Sequence, residues 1–336
     1  MPEPQPPRPA CHGLIAGWRL APGAAPQPMT AADADAWVDS GDGAAWLHFD
    51  LLDARARNFI HALPGLPAAA RAALVEAEEA TRVETGEDAL FGCLPDTHYD
   101  AEDAALPPIG MLHFALLPRL LVTARRHPLR GVHIALAAPA ATTPPEALAA
   151  ALHGALAEFG RGIAGLAQRL AHIEDQLLRP GAEPPRDALA LVRREALRFA
   201  RHLDPLAEAM EELAETDDAE PAWLRAASAP LLREGRRARG AARALAAINE
   251  RGRIAQDQAA ALAAEETNRR LLVLSVISAA MLPASLVAGI FGMNVGGVPG
   301  VPAETAAMGW GFAMAMGCIV ASVVGVLAAL RLGRLL

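Results

Sequence analysis

Two stretches of the chain carry no charge at all. Residues 271–291 read LLVLSVISAAMLPASLVAGIF, and residues 310–330 read WGFAMAMGCIVASVVGVLAAL. Each is about twenty residues long, which is what an α-helix needs to cross roughly 30 Å of hydrocarbon. Buried helices of water-soluble proteins rarely run so far without a charge, so the pattern predicts two membrane spans. Arg269 and Arg270 precede the first, and Arg331 and Arg334 follow the second. Residues 292–309 between them hold no basic residue and a single acid, Glu304. The bias of basic residues towards the cytoplasm then places both termini inside and the short connection outside. Pro283 removes one backbone hydrogen bond from the first span and is expected to bend it towards a partner helix or a water-lined cavity. Gly289, Gly311, Gly317, Ala321 and Gly325 are small enough to let helices approach closely.

Upstream, Pro221 and Pro230 punctuate the start of a long helical pattern, and from 231 to 291 the only proline is Pro283. Residues 231–270 mix Arg and Glu with Ala, Leu and Ile at helical spacing. If helical throughout, 231–291 span on the order of 90 Å at about 1.5 Å per residue. Two further helices are predicted over 155–178, closed by Arg179-Pro180-Gly181, and over 186–215, closed by an acidic stretch. The first part of the chain differs. Short apolar runs bounded by Gly, Pro and Asp at 45–49 (AWLHF), 89–94 (ALFGCL), 110–117 (GMLHFALL) and 120–123 (LLVT) predict strands, with a helix over 67–79 between them. The expected organisation is an α+β cytoplasmic domain over 1–150, long stalk helices over 151–270, and a two-helix transmembrane hairpin over 271–336.

Composition sharpens this picture. Hydrophobic residues make up 53% of the 336 residues but aromatics only 4%, so much of the apolar count is alanine, a good helix former with little driving force for a core. The net charge of −8 lacks the basic footprint of a nucleic-acid binder. All thirty basic residues are arginine. Cys11, Cys93 and Cys318 are scattered, without the spacing of a structural zinc site or a disulfide framework. The proline-rich start has no apolar run after a basic segment, so no cleaved signal is expected.

No catalytic constellation emerges: there is no GxSxG elbow, no phosphate-cradling glycine loop and no HExxH. His172 and Asp175 share a helical face beside Glu174, a spacing that can hold two metal ligands but more often marks a solvated face. His98 and His127 are loop histidines. More specific is the outer end of the first span, Gly289-Ile290-Phe291-Gly292-Met293-Asn294-Val295-Gly296-Gly297-Val298-Pro299-Gly300. The amide oxygen of Asn294 can accept hydrogen bonds from the waters of a hydrated ion.

Gly292-Met293-Asn294 at the end of the penultimate span, followed by a second span and a short basic tail, resembles the CorA-type divalent metal transporter family. The continuation through Gly300, Asn268-Arg269-Arg270 ahead of the span and Leu282-Pro283 within it are similar to the family's zinc-transporting branch. So are Ala73-Leu74, Glu79-Ala80-Thr81-Arg82 and the run from Leu120 to Leu129. The resemblance covers all but the proline-rich start. It implies a CorA-like funnel, a homopentamer in the cell inner membrane, with the first span of each subunit lining a central pore. The implied cargo is a divalent cation, zinc favoured, with magnesium, cobalt or nickel uptake as the alternative; the implied partners are further copies of the chain and the bilayer. No resident cofactor and no enzymatic activity are implied. The zinc branch often carries valine at the position of Met293, and the magnesium branch methionine.

On the family's pore helix, alternate steps of three and four back from the outer end give Gly289, Ser285, Leu282, Ser278, Leu274, Leu271, Asn268, Ala264, Ala261 and Asp257 as the axial face. A rotation by one residue replaces Leu274 by Ser275. The only carboxylate on this face is Asp257, either a ring inside the funnel or a surface residue pairing with Arg253. Asn294 would receive the hydrated ion at the outer mouth. The face holds neither His nor Cys, so the ion is expected to pass with its water shell.

Overall fold

The computed structural model describes residues 11, 13–76, 80–86, 88–99, 107–179, 185–215, 221–291 and 311–332. Contacts divide the chain into two compact units, Met1–Gln256 and Asp257–Leu336.

The first unit is built on a seven-stranded sheet. Its strands are β1 (Leu14–Leu20), β2 (Gln27–Met29), β3 (Ala44–Asp50), β4 (Arg82–Thr85), β5 (Leu90–Thr97), β6 (Ile109–Leu116) and β7 (Leu120–Arg125). They lie in the order β2-β1-β3-β7-β6-β5-β4. Every pair is antiparallel except the central β3–β7 pair, where Trp46 stands opposite Leu121 and Leu47 opposite Val122. Alternation along each strand feeds two cores. Trp46, Leu112, Phe114, Leu116 and Leu121 point to one face, while Leu47, Phe49, Ala115, Val122 and Ala124 point to the other. A sheet covered on both sides needs apolar residues at every position. The central strands are accordingly the unbroken runs legible in the sequence.

Helices α1 (Ala31–Ser40), α2 (Ala54–Ala62) and α3 (Ala68–Val75) cover the second face. The start of α1 is fixed by a capping box in which the Thr30 hydroxyl accepts from the Asp33 N–H and the Asp33 carboxylate accepts from the Thr30 N–H. The first face is covered by α4 (Arg130–Ala137), α5 (Pro144–Leu177), α6 (Arg186–Glu212) and the amino-terminal part of α7 (Ala222–Phe291). Leu224, Leu231, Ala238, Leu245, Ile248 and Ala255 of α7 join that core. Phe159 of α5 and Phe199 of α6 meet edge to face at its centre, with centroids 5.2 Å apart. Ion pairs stitch the same layer at the surface: Arg169 to Glu195, Arg239 to Glu211, and Arg251 to Glu174. Pairs this exposed contribute little individually.

Several boundaries differ from the sequence reading. Helix α5 begins at Pro144, eleven residues before the predicted 155, so the expected domain border at 150/151 falls inside a helix. Proline at the first helical position costs nothing, because its missing N–H would be unpaired there anyway. Helix α7 begins at Ala222, and Pro230 lies within it; the Pro221 carbonyl accepts from the Leu224 and Arg225 N–H groups and opens the helix. The predicted helix 67–79 is seen as Ala68–Val75, with 77–79 outside the described residues.

Helix α4 lies against α5 through two glycines. A Cβ on Gly131 would sit 2.3 Å from the Ala155 backbone nitrogen, and one on Gly154 would sit 2.6 Å from the Gly131 carbonyl oxygen. No side chain fits there, so the two helices touch through their backbones.

The second unit consists of the remainder of α7 and of α8 (Gly311–Leu332). Helix α7 continues without interruption through Pro283 to Phe291.

Candidate functional site

Among the described residues, α7 is long and apolar enough to cross a membrane, and α8 contains a shorter apolar helix over Met316–Arg331. Within the second unit each of these helices shows one partly shielded stripe. On α7 it comprises Val276, Ala280, Pro283, Ala284 and Val287; on α8 it comprises Ile319, Ser322, Val323, Val326 and Leu330. The spacing of threes and fours is that of one helical face. Pro283 thus sits on the shielded side of its helix.

The axial face expected from the sequence is on the other side. Leu271, Leu274, Ser278, Leu282, Ser285 and Gly289 are all exposed, the three leucines at 54%, 61% and 71%. At 3.6 residues per turn, this stripe and the shielded one are centred roughly 180° apart. The hydroxyls do not follow this division strictly, since Thr267, which bonds back to its own helix, is exposed on the side of the expected axial face. Ser322, on the shielded stripe of α8, donates to the Cys318 carbonyl at 2.7 Å, and Thr267 donates to Ala263 at 2.9 Å. Ser278 and Ser285 make no hydrogen bond with any described residue.

Asn268, Ala264, Ala261 and Asp257 continue the stripe and are exposed. Arg253, the alternative partner considered for Asp257, donates to Glu250 at 2.7 Å. Arg270 donates to Glu266 at 3.0 Å. Gly292, Met293 and Asn294 lie outside the described residues.

No group of three His, Cys, Asp or Glu side chains among the described residues has the geometry of a metal site. The His172–Glu174–Asp175 cluster is drawn apart. Glu174 turns to Arg251 on α7, and His172 Nε2 is 3.0 Å from the Gln176 amide nitrogen. His98 and His127 do come together, their rings stacked with centroids 5.0 Å apart. Beside them Tyr99 packs on His133 at 4.5 Å.

Buried polar residues that the sequence reading passed over anchor the sheet. His48 is 1% exposed, and its Nδ1 lies 2.9 Å from the Thr123 hydroxyl, which also receives the Trp46 indole N–H at 2.8 Å. Burial, assisted by the charge of Arg125, pushes the imidazole pKa down to about 3, so it stays neutral. Asp96, also 1% exposed, accepts from the backbone N–H groups of Gly131 and Val132 at 2.9 Å each and from Thr97 at 2.7 Å. It therefore caps α4 from a neighbouring strand and satisfies two of the donors that a helix start leaves open. Their signal in the sequence was weak: His48 is one polar residue in an apolar run, Asp96 ends another, and the partners on other elements lie 35 and more positions away.

An α/β unit is joined through the continuous helix α7 to an apolar segment long enough to cross a membrane. The chain belongs to the CorA-like Mg2+ transporter protein family, whose model matches residues 41–334. It is accordingly a divalent-cation transporter of that family and not an enzyme. It is 25% identical over 281 residues to the zinc transport protein ZntB of Yersinia pseudotuberculosis, covering 81% of this chain and 83% of that one. Among solved structures it resembles the full-length CmaX protein, with a TM-score of 0.76, 22% identity, and coverage of 98% of this chain and 100% of that one. It also resembles the complete CorA magnesium transporter of Methanocaldococcus jannaschii, with a TM-score of 0.67, 16% identity, and coverage of 94% and 98%. These two likenesses establish the fold: a soluble α/β domain with a long helix.

Asp96 gives the first unit a defined pH dependence. Desolvation outweighs its three hydrogen bonds and raises its pKa from 3.8 to about 6. A raised pKa means that the folded state holds the proton more tightly. Its contribution to stability is complete below 3.8 and is lost as the pH rises through about 6. Relative to Asp96→Asn, the wild-type chain should lose stability between those two values, by roughly 1.4 kcal/mol per unit at most, and run parallel above them. Thermal unfolding of both proteins across that range, followed by tryptophan fluorescence, measures the difference. Parallel curves throughout would mean that Asp96 does not titrate there.

Proposed function

We propose that the chain assembles as a homopentamer in the cell inner membrane and conducts divalent cations, zinc in preference to magnesium, cobalt and nickel, through a central pore. In this reading the apolar end of α7 and α8 form a transmembrane hairpin with both termini in the cytoplasm. Leu271, Leu274, Ser278, Leu282, Ser285 and Gly289 face the axis, Asp257 lies further along the same face, and Gly292-Met293-Asn294 forms the outer mouth.

One observation carries the pore assignment. Ser278 and Ser285 are exposed on the stripe opposite the shielded one and, like Ser275 at its edge, make no hydrogen bond with any described residue. A hydroxyl facing hydrocarbon gains by bonding back to its own helix, whereas one facing water does not need to. The flanking arginines support the orientation. The likeness to a protein named as a zinc transporter supports zinc. Met293 and the magnesium named in the family's description favour magnesium as the second reading.

Proteoliposomes holding the purified protein test both. Zinc flux should exceed magnesium flux; the reverse order would establish the second reading, and no flux of either ion would sink transport. Asn294→Ala should cut flux by about tenfold or more while light scattering still finds the intact oligomer, because the amide meets the ion's water shell. Full flux from that variant would remove Asn294 from the mouth.

Leu271, Leu274 and Leu282 would form dry rings that resist passage in the closed state. Leu282→Ser should therefore raise the leak measured without a driving gradient of metal, by a few-fold or more. Labelling of the same position by a lipid-soluble reagent would instead put it on the outer surface.

Asp257, repeated by fivefold symmetry, would make a ring of carboxylates that attracts a divalent cation. Asp257→Asn should weaken zinc binding or alter gating. An exposed pair with Arg253 would instead change stability by at most about 0.5 kcal/mol and leave flux alone.

A further inference from the structure

Two adjoining concavities on the first unit, between α4, α5 and the opening turns of α7, have a chemistry that transport does not use. One has a volume of about 770 Å³ and the other about 750 Å³, and they share Glu146, Pro230 and Arg233. The first is lined on its α7 side by Arg233, Arg236 and Arg237. Beneath them Glu234, only 7% exposed, accepts from Arg237 Nη1 at 3.0 Å through both oxygens and lies 3.2 Å from His153 Nδ1. That buried carboxylate fixes Arg237. Glu146 is likewise occupied, accepting from the Thr142 N–H at 2.8 Å and its hydroxyl at 2.9 Å. Arg233 and Arg236 make no hydrogen bond or ion pair with any described residue.

The neighbouring concavity is mostly apolar. Trp223, Ala44, Pro118 and Ala227 line it, and the Trp223 indole nitrogen is buried without a hydrogen-bond partner among the described residues. Two unpaired guanidiniums at one end and an aromatic, apolar slot at the other, in a chain of net charge −8, form an uneven pair. Guanidinium groups bind phosphate oxygens in a bidentate manner, and volumes of this size hold a nucleotide-sized molecule.

We infer that this double concavity binds a phosphate-bearing small molecule with an aromatic body, of nucleotide size. Its phosphates meet Arg233 and Arg236, and its ring lies in the Trp223 slot. The site is distinct from the proposed pore, so failure of one does not decide the other.

Isothermal titration of the full chain in detergent micelles tests this, with ATP as the probe and EDTA present so that metal plays no part. ATP should bind saturably, and more weakly as salt is raised. The Arg233→Gln/Arg236→Gln variant, altered at two exposed positions, should bind about tenfold more weakly or less, with unchanged thermal unfolding. Inorganic phosphate should compete but bind about tenfold more weakly than ATP, and Trp223→Ala should erase that preference. Absence of saturable binding, or equal binding by the double variant, would overturn the proposal. Adenosine binding as tightly as ATP would overturn the anion site, and phosphate binding as tightly as ATP would overturn the aromatic slot.

Discussion

Backbone hydrogen bonding constrains this molecule more than any side-chain contact. A segment that enters hydrocarbon must carry its own N–H···O=C bonds, because neither water nor a neighbouring strand is available to supply them. Helix α7 meets that demand by running without interruption from Ala222 to Phe291. Its sequence serves two solvents in turn. The first part places Leu224, Leu231, Leu245 and Ile248 on a core-facing stripe and arginines elsewhere. The last part has no charge on any side. Only the side chains change along the helix; the backbone bonding is the same throughout. Pro283 removes one donor, and its place on the shielded stripe leaves the freed carbonyl away from the exposed one.

The sheet solves the same accounting problem in water. Covered on both faces, it gains by matching its buried polar atoms, and several that its strands contain are paired across the fold, although His48 Nε2 and the Thr97 hydroxyl are buried without a partner among the described residues. Thr123 takes a hydrogen bond from Trp46 and shares one with His48, and Asp96 takes them from the start of α4. This second arrangement fixes where α4 begins, and the Gly131–Gly154 contact fixes how closely it lies on α5. A helix of eight residues has too few internal hydrogen bonds to stand alone. It holds its place because a strand supplies its cap and a neighbouring helix its packing.

The parts of this fold that were legible in the sequence share one property: length of pattern. The two uncharged runs, the long α7 pattern and the strands β3, β5, β6 and β7 extend far enough for periodicity or unbroken apolarity to speak. What was missed is short or mixed. Strand β1 carries Gly17 and Arg19, β2 has three residues with Pro28 among them, and β4 is an edge strand with half-buried Arg82 paired to exposed Glu84. Edges are made polar to avoid further pairing, which removes the signal that identifies them as strands. Helix α4 is eight residues long and contains Gly131, a poor helix former that its packing requires, so its pattern is too short to stand out. The spacing of the stripe proposed to face the pore was legible, but which side of α7 is shielded was not, because that is a property of three-dimensional neighbours. The meeting of His98 with His127 is likewise invisible along the chain.

The chemistry of the stripe limits how any ion preference can arise. Zinc stripped of water is held by sulfur and nitrogen, and the stripe offers hydroxyls, methyls and a backbone glycine. Cys11 and Cys93 are buried in the first unit, and Cys318 is on α8 rather than α7. An ion on this path would therefore keep its water shell, and hydrated zinc and hydrated magnesium carry the same charge behind similar first shells. Serine hydroxyls bond to water and not to the metal, so they cannot separate the two. Asp257 is a hard oxygen ligand, which suits magnesium at least as well as zinc. A zinc preference would then have to be set where the shell is probed most closely, at the mouth proposed at Asn294, or by the supply of ion to the path.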